Sequence, residues 1–225
     1  MSTIETENLC GLKRENFQTT INGKNTDLFI LKNSLGNEVA ITNYGGAIVA
    51  IMVPDRDGNI ANVIQGYDNI QDAINHTQPY LSTLIGRFGN RICRGQFRLR
   101  GKDYQLAINN GPNALHGGPK GFHSRVWDAT QMNDQSLVLE LVSAYGEEGF
   151  TGELKVTVVY TFTNENELMI ESIDLQNIGT LLAETAGSTV FPVEVTGIGH
   201  PGPSGKDRGA VGKGVDVDMG RHFGV

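Results

Sequence analysis

The stretch Leu154-Lys155-Val156-Thr157-Val158-Val159-Tyr160-Thr161-Phe162 decides the fold class. Leu154, Val156, Val158, Tyr160 and Phe162 recur at every second residue, with Lys155, Thr157 and Thr161 between them. A period of two places the two sets on opposite sides of a strand, and β-branched and aromatic residues suit that pleated surface. Asn164-Glu165-Asn166 then reads as a turn, and Leu168 to Ile170 begins a returning strand. Upstream, Leu137 to Val142 is a further strand candidate.

The same pattern continues toward the N-terminus. Phe97 and Leu99 alternate with Arg98 and Arg100, and Tyr104, Leu106 and Ile108 resume the alternation after Gly101-Lys102-Asp103. Period two on both sides of a glycine-containing turn predicts a hairpin. Ala47 to Val53 is the longest apolar run, and it enters the turn Pro54-Asp55-Arg56-Asp57-Gly58-Asn59. Leu28 to Leu31 and Val39 to Ile41 flank Asn33-Ser34-Leu35-Gly36-Asn37, a second hairpin signal. Helix is scarce; Asp68 to Asn75 is one short candidate, with Asp68 as its cap. Many short strands separated by turns argue for an all-β sandwich or barrel.

Composition bounds the function classes. The 225 residues suffice for one large domain or two modest ones. A net charge of -7 argues against nucleic acid or an anionic membrane as partner. The longest apolar run is too short to cross a bilayer as a helix, and the polar, acidic start has no secretory pattern. The expectation is a cytoplasmic protein. Two cysteines, Cys10 and Cys93, exclude a disulfide scaffold or a cysteine-rich zinc module. Glycine is unevenly placed: residues 179–225 hold 11 of the 29. From Thr196 onward no hydrophobic period is sustained. The expected organisation is therefore a β-domain over 1–178 and a divergent, poorly ordered glycine-rich tail over 179–225.

Most familiar motifs are absent. Gly209-Ala210-Val211-Gly212-Lys213-Gly214 fails as a phosphate loop, because Asp207 stands where its first glycine belongs and no hydroxyl residue follows the lysine. His116 and His123 lack carboxylate or thiolate companions at metal-ligand spacing. Two loops stand out instead. In Ile85-Gly86-Arg87-Phe88-Gly89-Asn90-Arg91-Ile92, two guanidinium groups and an amide sit among glycines and apolar residues. The arginines are either solvated strand-edge charges or pocket groups whose fork of donors suits paired sugar hydroxyls. In Asn109-Asn110-Gly111-Pro112-Asn113-Ala114-Leu115-His116-Gly117-Gly118, the histidine is either a hydrogen-bonded turn residue or a group placed to bind or protonate a ligand oxygen. His76 reads as surface.

Taken together, Asn43-Tyr44-Gly45-Gly46, Gly86-Arg87-Phe88-Gly89-Asn90-Arg91-Ile92, Asn113-Ala114-Leu115-His116-Gly117-Gly118 and Gly121-Phe122-His123-Ser124-Arg125-Val126-Trp127 resemble the aldose 1-epimerase (galactose mutarotase) family. Glu147-Glu148-Gly149-Phe150-Thr151-Gly152, followed by Leu154-Lys155-Val156, is similar to it as well. Order and spacing fit over roughly residues 15–171. The resemblance implies a large antiparallel β-sandwich, and interconversion of the α and β anomers of free aldoses such as galactose and glucose. It implies sugar binding by Asn90, Arg91 and His116, and neither a metal nor an organic cofactor. Its partner would be a small-molecule aldose.

The family's acid is a histidine in an Asn-His-Ser-Tyr-Phe-Asn-type motif, and its base is a glutamate nearer the C-terminus. Neither motif is found. Past Glu171 the chain reads Leu182-Ala183-Glu184-Thr185-Ala186-Gly187-Ser188, and His200 sits in Gly199-His200-Pro201-Gly202, a different context. A reading-frame shift near codon 171 would leave this pattern. The catalytic residues are therefore unassigned, and the C-terminal part of the sandwich is expected to be missing. Edges and an apolar face left uncovered would then favour aggregation. A non-catalytic carbohydrate-binding β-domain and an inactive fragment are the alternative readings.

Overall fold

The alternation that predicts the strand at Leu154 to Phe162 is realised as an extended segment whose even-numbered side chains are buried and whose Lys155 is exposed. The computed structural model describes residues 8–178 and 191–193, with side chains described through Ser172. All of them belong to one compact unit, Met1–Val195. Of the tail expected to be poorly ordered over 179–225, only Phe191–Val193 is described, as a strand paired with Leu168 to Ile170, and the rest lies outside the described residues.

In chain order the strands are β1 (Thr20–Ile21), β2 (Lys24–Asn25), β3 (Leu28–Lys32), β4 (Glu38–Thr42), β5 (Ile48–Pro54), β6 (Ile60–Asn62), β7 (Arg91–Ile92), β8 (Gln96–Leu99) and β9 (Lys102–Gln105). They continue with β10 (Ala114–Leu115), β11 (Asp128–Asn133), β12 (Ser136–Ser143), β13 (Glu153–Phe162), β14 (Leu168–Ile178) and β15 (Phe191–Val193). One short helix, α1 (Ile70–Asn75), follows β6. Strands β3-β4-β5-β6 form one antiparallel sheet, and β11-β12-β13-β14-β15 form another. In both, each strand pairs with its neighbours in sequence.

The two sheets pack face to face. Leu31, Val39, Ile41, Ile51 and Val53 from the first meet Leu137, Leu139, Leu141, Leu154, Val156, Val158, Tyr160 and Phe162 from the second in one core. The outer face of the first sheet is covered too. There Leu28, Ala40, Val49 and Ala50 pack with Phe17, Tyr67, Ile70 and Ala73. This explains why every residue of β4 is buried. A register shift between Ala40 and Ile41 opposes β5, where Ala50 and Ile48 are the paired residues, and Val49 is the extra one. The bulge turns Val49 and Ala50 into the same outer core.

Side-chain amides close one end of the sandwich. Asn33 Nδ2 donates to the Thr163 carbonyl at 3.0 Å and to Asn166 Oδ1 at 2.7 Å, while its Oδ1 accepts from the backbone of Leu35 and Asn37. Deep in the core, Tyr160 donates its hydroxyl to the Gly46 carbonyl at 2.8 Å, tying β13 to the turn after β4. Burial pushes that phenol well above its ordinary pKa.

Two local expectations need correction. Asn69, not Asp68, caps α1: its backbone is extended and its side chain accepts from the Asp72 amide. The second strand of the 97–108 hairpin ends at Gln105. Leu106 instead bonds through its N–H to the Gly95 carbonyl and buries its side chain with Ala114 and Phe150. Ile108 is exposed, so the alternation there does not continue as a ladder.

Candidate functional site

Strands β7 and β10 pair with Arg91 opposite Leu115 and Ile92 opposite Ala114. One residue beyond that ladder on each side stand Asn90 and His116. Both have left-handed backbones, with φ 67° and 52°. Asn and His are among the side chains that tolerate this region best. The conformation allows a reciprocal pair of bonds. The His116 N–H donates to the Asn90 carbonyl at 3.0 Å. The Asn90 N–H donates to Nδ1 of His116 at 2.9 Å.

A backbone amide can only donate, so Nδ1 must be the acceptor and the ring proton resides on Nε2. Burial, with the nearby Arg91 charge adding to it, holds the His116 pKa below its ordinary value. At neutral pH His116 is therefore an uncharged Nε2–H donor. Arg91 donates from Nε to Asn110 Oδ1 at 2.9 Å and from Nη1 to Asn90 Oδ1 at 3.1 Å. With its oxygen engaged, Asn90 retains Nδ2 as its donor, and Arg91 retains Nη2. The three side chains that the sequence singles out are thus neighbours, and their remaining polar groups are donors. Asn90 and Arg91 are exposed, and His116 is half-buried.

Backbone proximity builds this arrangement. Gly117, with φ +85°, lies so close to Gly86 that a Cβ there would sit 1.7 Å from the Gly86 carbonyl oxygen. Only glycine allows the 86–92 and 113–118 loops to approach this closely. Asn109 braces the histidine from the other side: its Oδ1 accepts from the Leu115 N–H at 2.7 Å and its Nδ2 donates to the Leu115 carbonyl at 2.9 Å.

The Asn43-Tyr44-Gly45-Gly46 motif supports the site without joining it. Asn43 Nδ2 donates to the Trp127 carbonyl at 2.9 Å, and the Trp127 N–H donates to the Asn43 carbonyl at 2.9 Å. The Gly45 N–H reaches the Arg125 carbonyl at 2.7 Å. These bonds fix the 121–127 segment against the first sheet.

Arg87 lies apart from the donor group. All five of its N–H donors are spent on Ser143 Oγ and on the carbonyls of Ser143, Ala144, Thr151 and Gly152, at 2.7 to 3.1 Å. Its guanidinium lies 5.8 Å from the centre of the Phe150 ring. Burial pulls its pKa down to about 10. Arg87 is a strut between the 86–92 loop and the end of β12, with nothing left to offer a ligand. Nearby, Glu147 pairs with Arg125 and accepts from the Ser143 hydroxyl.

His123 and Tyr80 are a second tier that sequence reasoning did not assign. The Tyr80 ring meets His116 edge-on at 4.7 Å between ring centres and His123 at 4.6 Å. His123 is only 5% exposed, and burial with the nearby His116 pushes its pKa down to about 4. Tyr80, His123, Tyr44 and Asn109 line a cavity of about 330 Å³ behind the donor group. The larger groove, about 610 Å³, lies instead beside β2 and β11, between Lys24, Asp27, Asn43 and Asp128. It contains none of Asn90, Arg91 or His116, and the convergence of donors outweighs its volume as a pointer to chemistry. Among the described residues no helix is long and apolar enough to cross a membrane, which says nothing of β-barrels.

Comparison with known proteins places the chain. A sequence profile described as Aldose 1-epimerase matches residues 27–194. The galactose mutarotase of Bos taurus is 46% identical over 123 residues, 55% of this chain and 35% of that protein. The aldose 1-epimerase of Escherichia coli K12 is 32% identical over 143 residues, 64% of this chain and 41% of that protein. The matched region thus spans less than half the length of these relatives. Among solved structures, an aldose epimerase homologue from C. elegans superposes with a TM-score of 0.63 at 26% identity, covering 68% of this chain and 47% of that one. A galactose 1-epimerase from Lactobacillus acidophilus gives a TM-score of 0.59 at 27% identity, over 69% and 46% of the two chains. Sequence and fold agree, and the chain belongs to the aldose 1-epimerase family.

Proposed function

We propose that Asn90, Arg91 and His116 bind the hydroxyl and ring oxygens of a free aldohexose, and that the protein interconverts the α and β anomers of sugars such as galactose and glucose. The observation that carries this reading is the Asn90–His116 bond, which fixes a neutral imidazole with Nε2–H facing away from Nδ1. Sugar oxygens are hydrogen-bond acceptors as well as donors, and a rigid set of amide, guanidinium and imidazole donors complements them.

Anomer exchange needs a base that takes the proton from the anomeric hydroxyl and an acid that protonates the ring oxygen. The C1–O5 bond breaks, the carbonyl carbon rotates, and the reverse transfers close the ring on its other face. Within this scheme Arg91 and His116 hold the sugar and stabilise negative charge as it develops on oxygen. The acid and the base are assigned to no residue. No metal or organic cofactor enters the scheme.

Polarimetry on freshly dissolved α-D-galactose tests the reading. The expected result is mutarotation faster than buffer, with the acceleration lost in His116→Ala. A buffer rate from folded protein would overturn catalysis. A second reading, sugar binding without turnover, draws on the fact that all three groups remain donors. Galactose-induced thermal stabilisation at a buffer rate would support it.

A further inference from the structure

We propose that Tyr80 is a positioning residue: its ring, wedged between His116 and His123, holds the His116 imidazole in the orientation that keeps Nδ1 on the Asn90 amide. The consequence for sugar recognition rests on the reading of His116 given above, whereas the orientation itself does not.

An imidazole held by one hydrogen bond is free to turn about its Cβ–Cγ bond. A quarter-turn swings Nδ1 out of line with the Asn90 N–H and changes the angle of the ring to its neighbours. That amide stands at a left-handed residue beyond the end of the β7–β10 ladder. Something must oppose the rotation, and Tyr80 is in contact with the ring. The interplanar angle is 66° at 4.7 Å, an edge-to-face contact that a rotated imidazole would disturb.

Tyr80 is itself restrained on two sides. Its hydroxyl accepts from Asn109 Nδ2 at 3.2 Å, the same amide that clamps Leu115, the residue before His116. Its ring is backed by His123 at 4.6 Å and 65°. His123 is only 5% exposed, and a Cβ at Gly121 would lie 3.2 Å from its Nδ1, so Gly121 bounds the ring on that side. The cavity of about 330 Å³ beside Tyr80 leaves open space along its wall, so the two imidazoles and Asn109 are what fix the tyrosine. None of these contacts requires Tyr80 to touch substrate. It acts through His116.

The test uses the full chain labelled with 15N-histidine, at pH 7.5, with long-range 1H–15N spectra that distinguish the two neutral ring tautomers. The His116 signal is assigned by its disappearance in His116→Gln. In the unmodified protein and in Tyr80→Phe, which keeps the ring, His116 is expected as the Nε2–H tautomer alone. In Tyr80→Leu it becomes a mixture of tautomers. His123→Leu, which removes the backing imidazole, shifts it in the same direction. D-Galactose affinity falls roughly tenfold in Tyr80→Leu, the equivalent of one well-placed hydrogen bond. Thermal melts establish that each variant is folded. If a folded Tyr80→Leu or His123→Leu protein keeps His116 wholly as the Nε2–H tautomer, the proposal is overturned. If the tautomer shifts while the unmodified protein binds no galactose, the positioning role stands and the sugar reading fails.

Discussion

The backbone N–H of Asn90 donates to Nδ1 of His116 at 2.9 Å, and the His116 N–H answers with a bond to the Asn90 carbonyl at 3.0 Å. Two residues 26 apart in sequence, each with positive φ, thus determine one another's geometry. The side chain that most resembles an acid–base group is held instead as a neutral donor.

Acid should weaken sugar binding. A second proton on His116 must go to Nδ1, where it would face the Asn90 N–H, donor against donor. Because the folded pKa lies below the ordinary 6.5, affinity is flat above that value and falls as pH drops through the depressed one. Calorimetric titration with D-galactose between pH 8 and pH 5 reads this directly. Affinity that rises on acidification would contradict the tautomer assignment.

His123 should cost the protein stability in acid. Its pKa is about 4 in the fold and 6.5 ordinarily, so between these values the unfolded chain binds the extra proton. The stability associated with the neutral ring is complete above pH 6.5 and is lost as pH falls toward 4. At 1.36 kcal/mol per pKa unit, this amounts to about 3 kcal/mol. Urea unfolding of the wild type and His123→Leu at pH 7.5 and 4.5 should show a weaker pH dependence in the variant. Equal dependence in both would refute the assignment.

The two loop arginines should separate cleanly. Arg87→Lys can replace at most three of five donors and leaves carbonyls unpaired, a loss of about 2–4 kcal/mol. It should lower the melting temperature markedly. Arg91→Lys, at an exposed position, should leave the melt nearly unchanged and weaken galactose binding. The reverse pattern would exchange the roles assigned to them.

Gly117→Ala should damage the site through the backbone. The new methyl would collide with the Gly86 carbonyl at a residue with φ +85°. A loss of about 2 kcal/mol or more is expected, together with loss of the single His116 tautomer. A wild-type melt and an unchanged imidazole spectrum would show that the two loops do not need this approach.

The sequence was most legible where alternation and burial coincide. The β13 pattern at Leu154 to Phe162 matches its buried face, and the hairpin around Asn33 to Asn37 forms as β3 and β4. Strand β11 carried no such signal, because Asp128–Asn133 is a largely exposed edge with no apolar period. At Leu106 the alternation misled, since a loop contact with Gly95 replaced the ladder. In the site, loop composition marked the two segments 85–92 and 109–118, and the resemblance to the family is what grouped Asn90, Arg91 and His116. Tyr80 had no local pattern to mark it, because its role comes from two rings 36 and 43 residues further along the chain. Arg87 and Arg91 share one loop and one residue type; only the carbonyls gathered around Arg87 distinguish strut from donor.

The most direct measurement is a titration of D-galactose into the 15N-histidine-labelled chain, following the Nε2–H resonance of His116. Saturable movement of that resonance, weakened in Arg91→Ala and Asn90→Ala, is the predicted result. A His116 resonance that stays fixed while galactose binds, or at concentrations far above those that saturate a sugar site, would contradict the account.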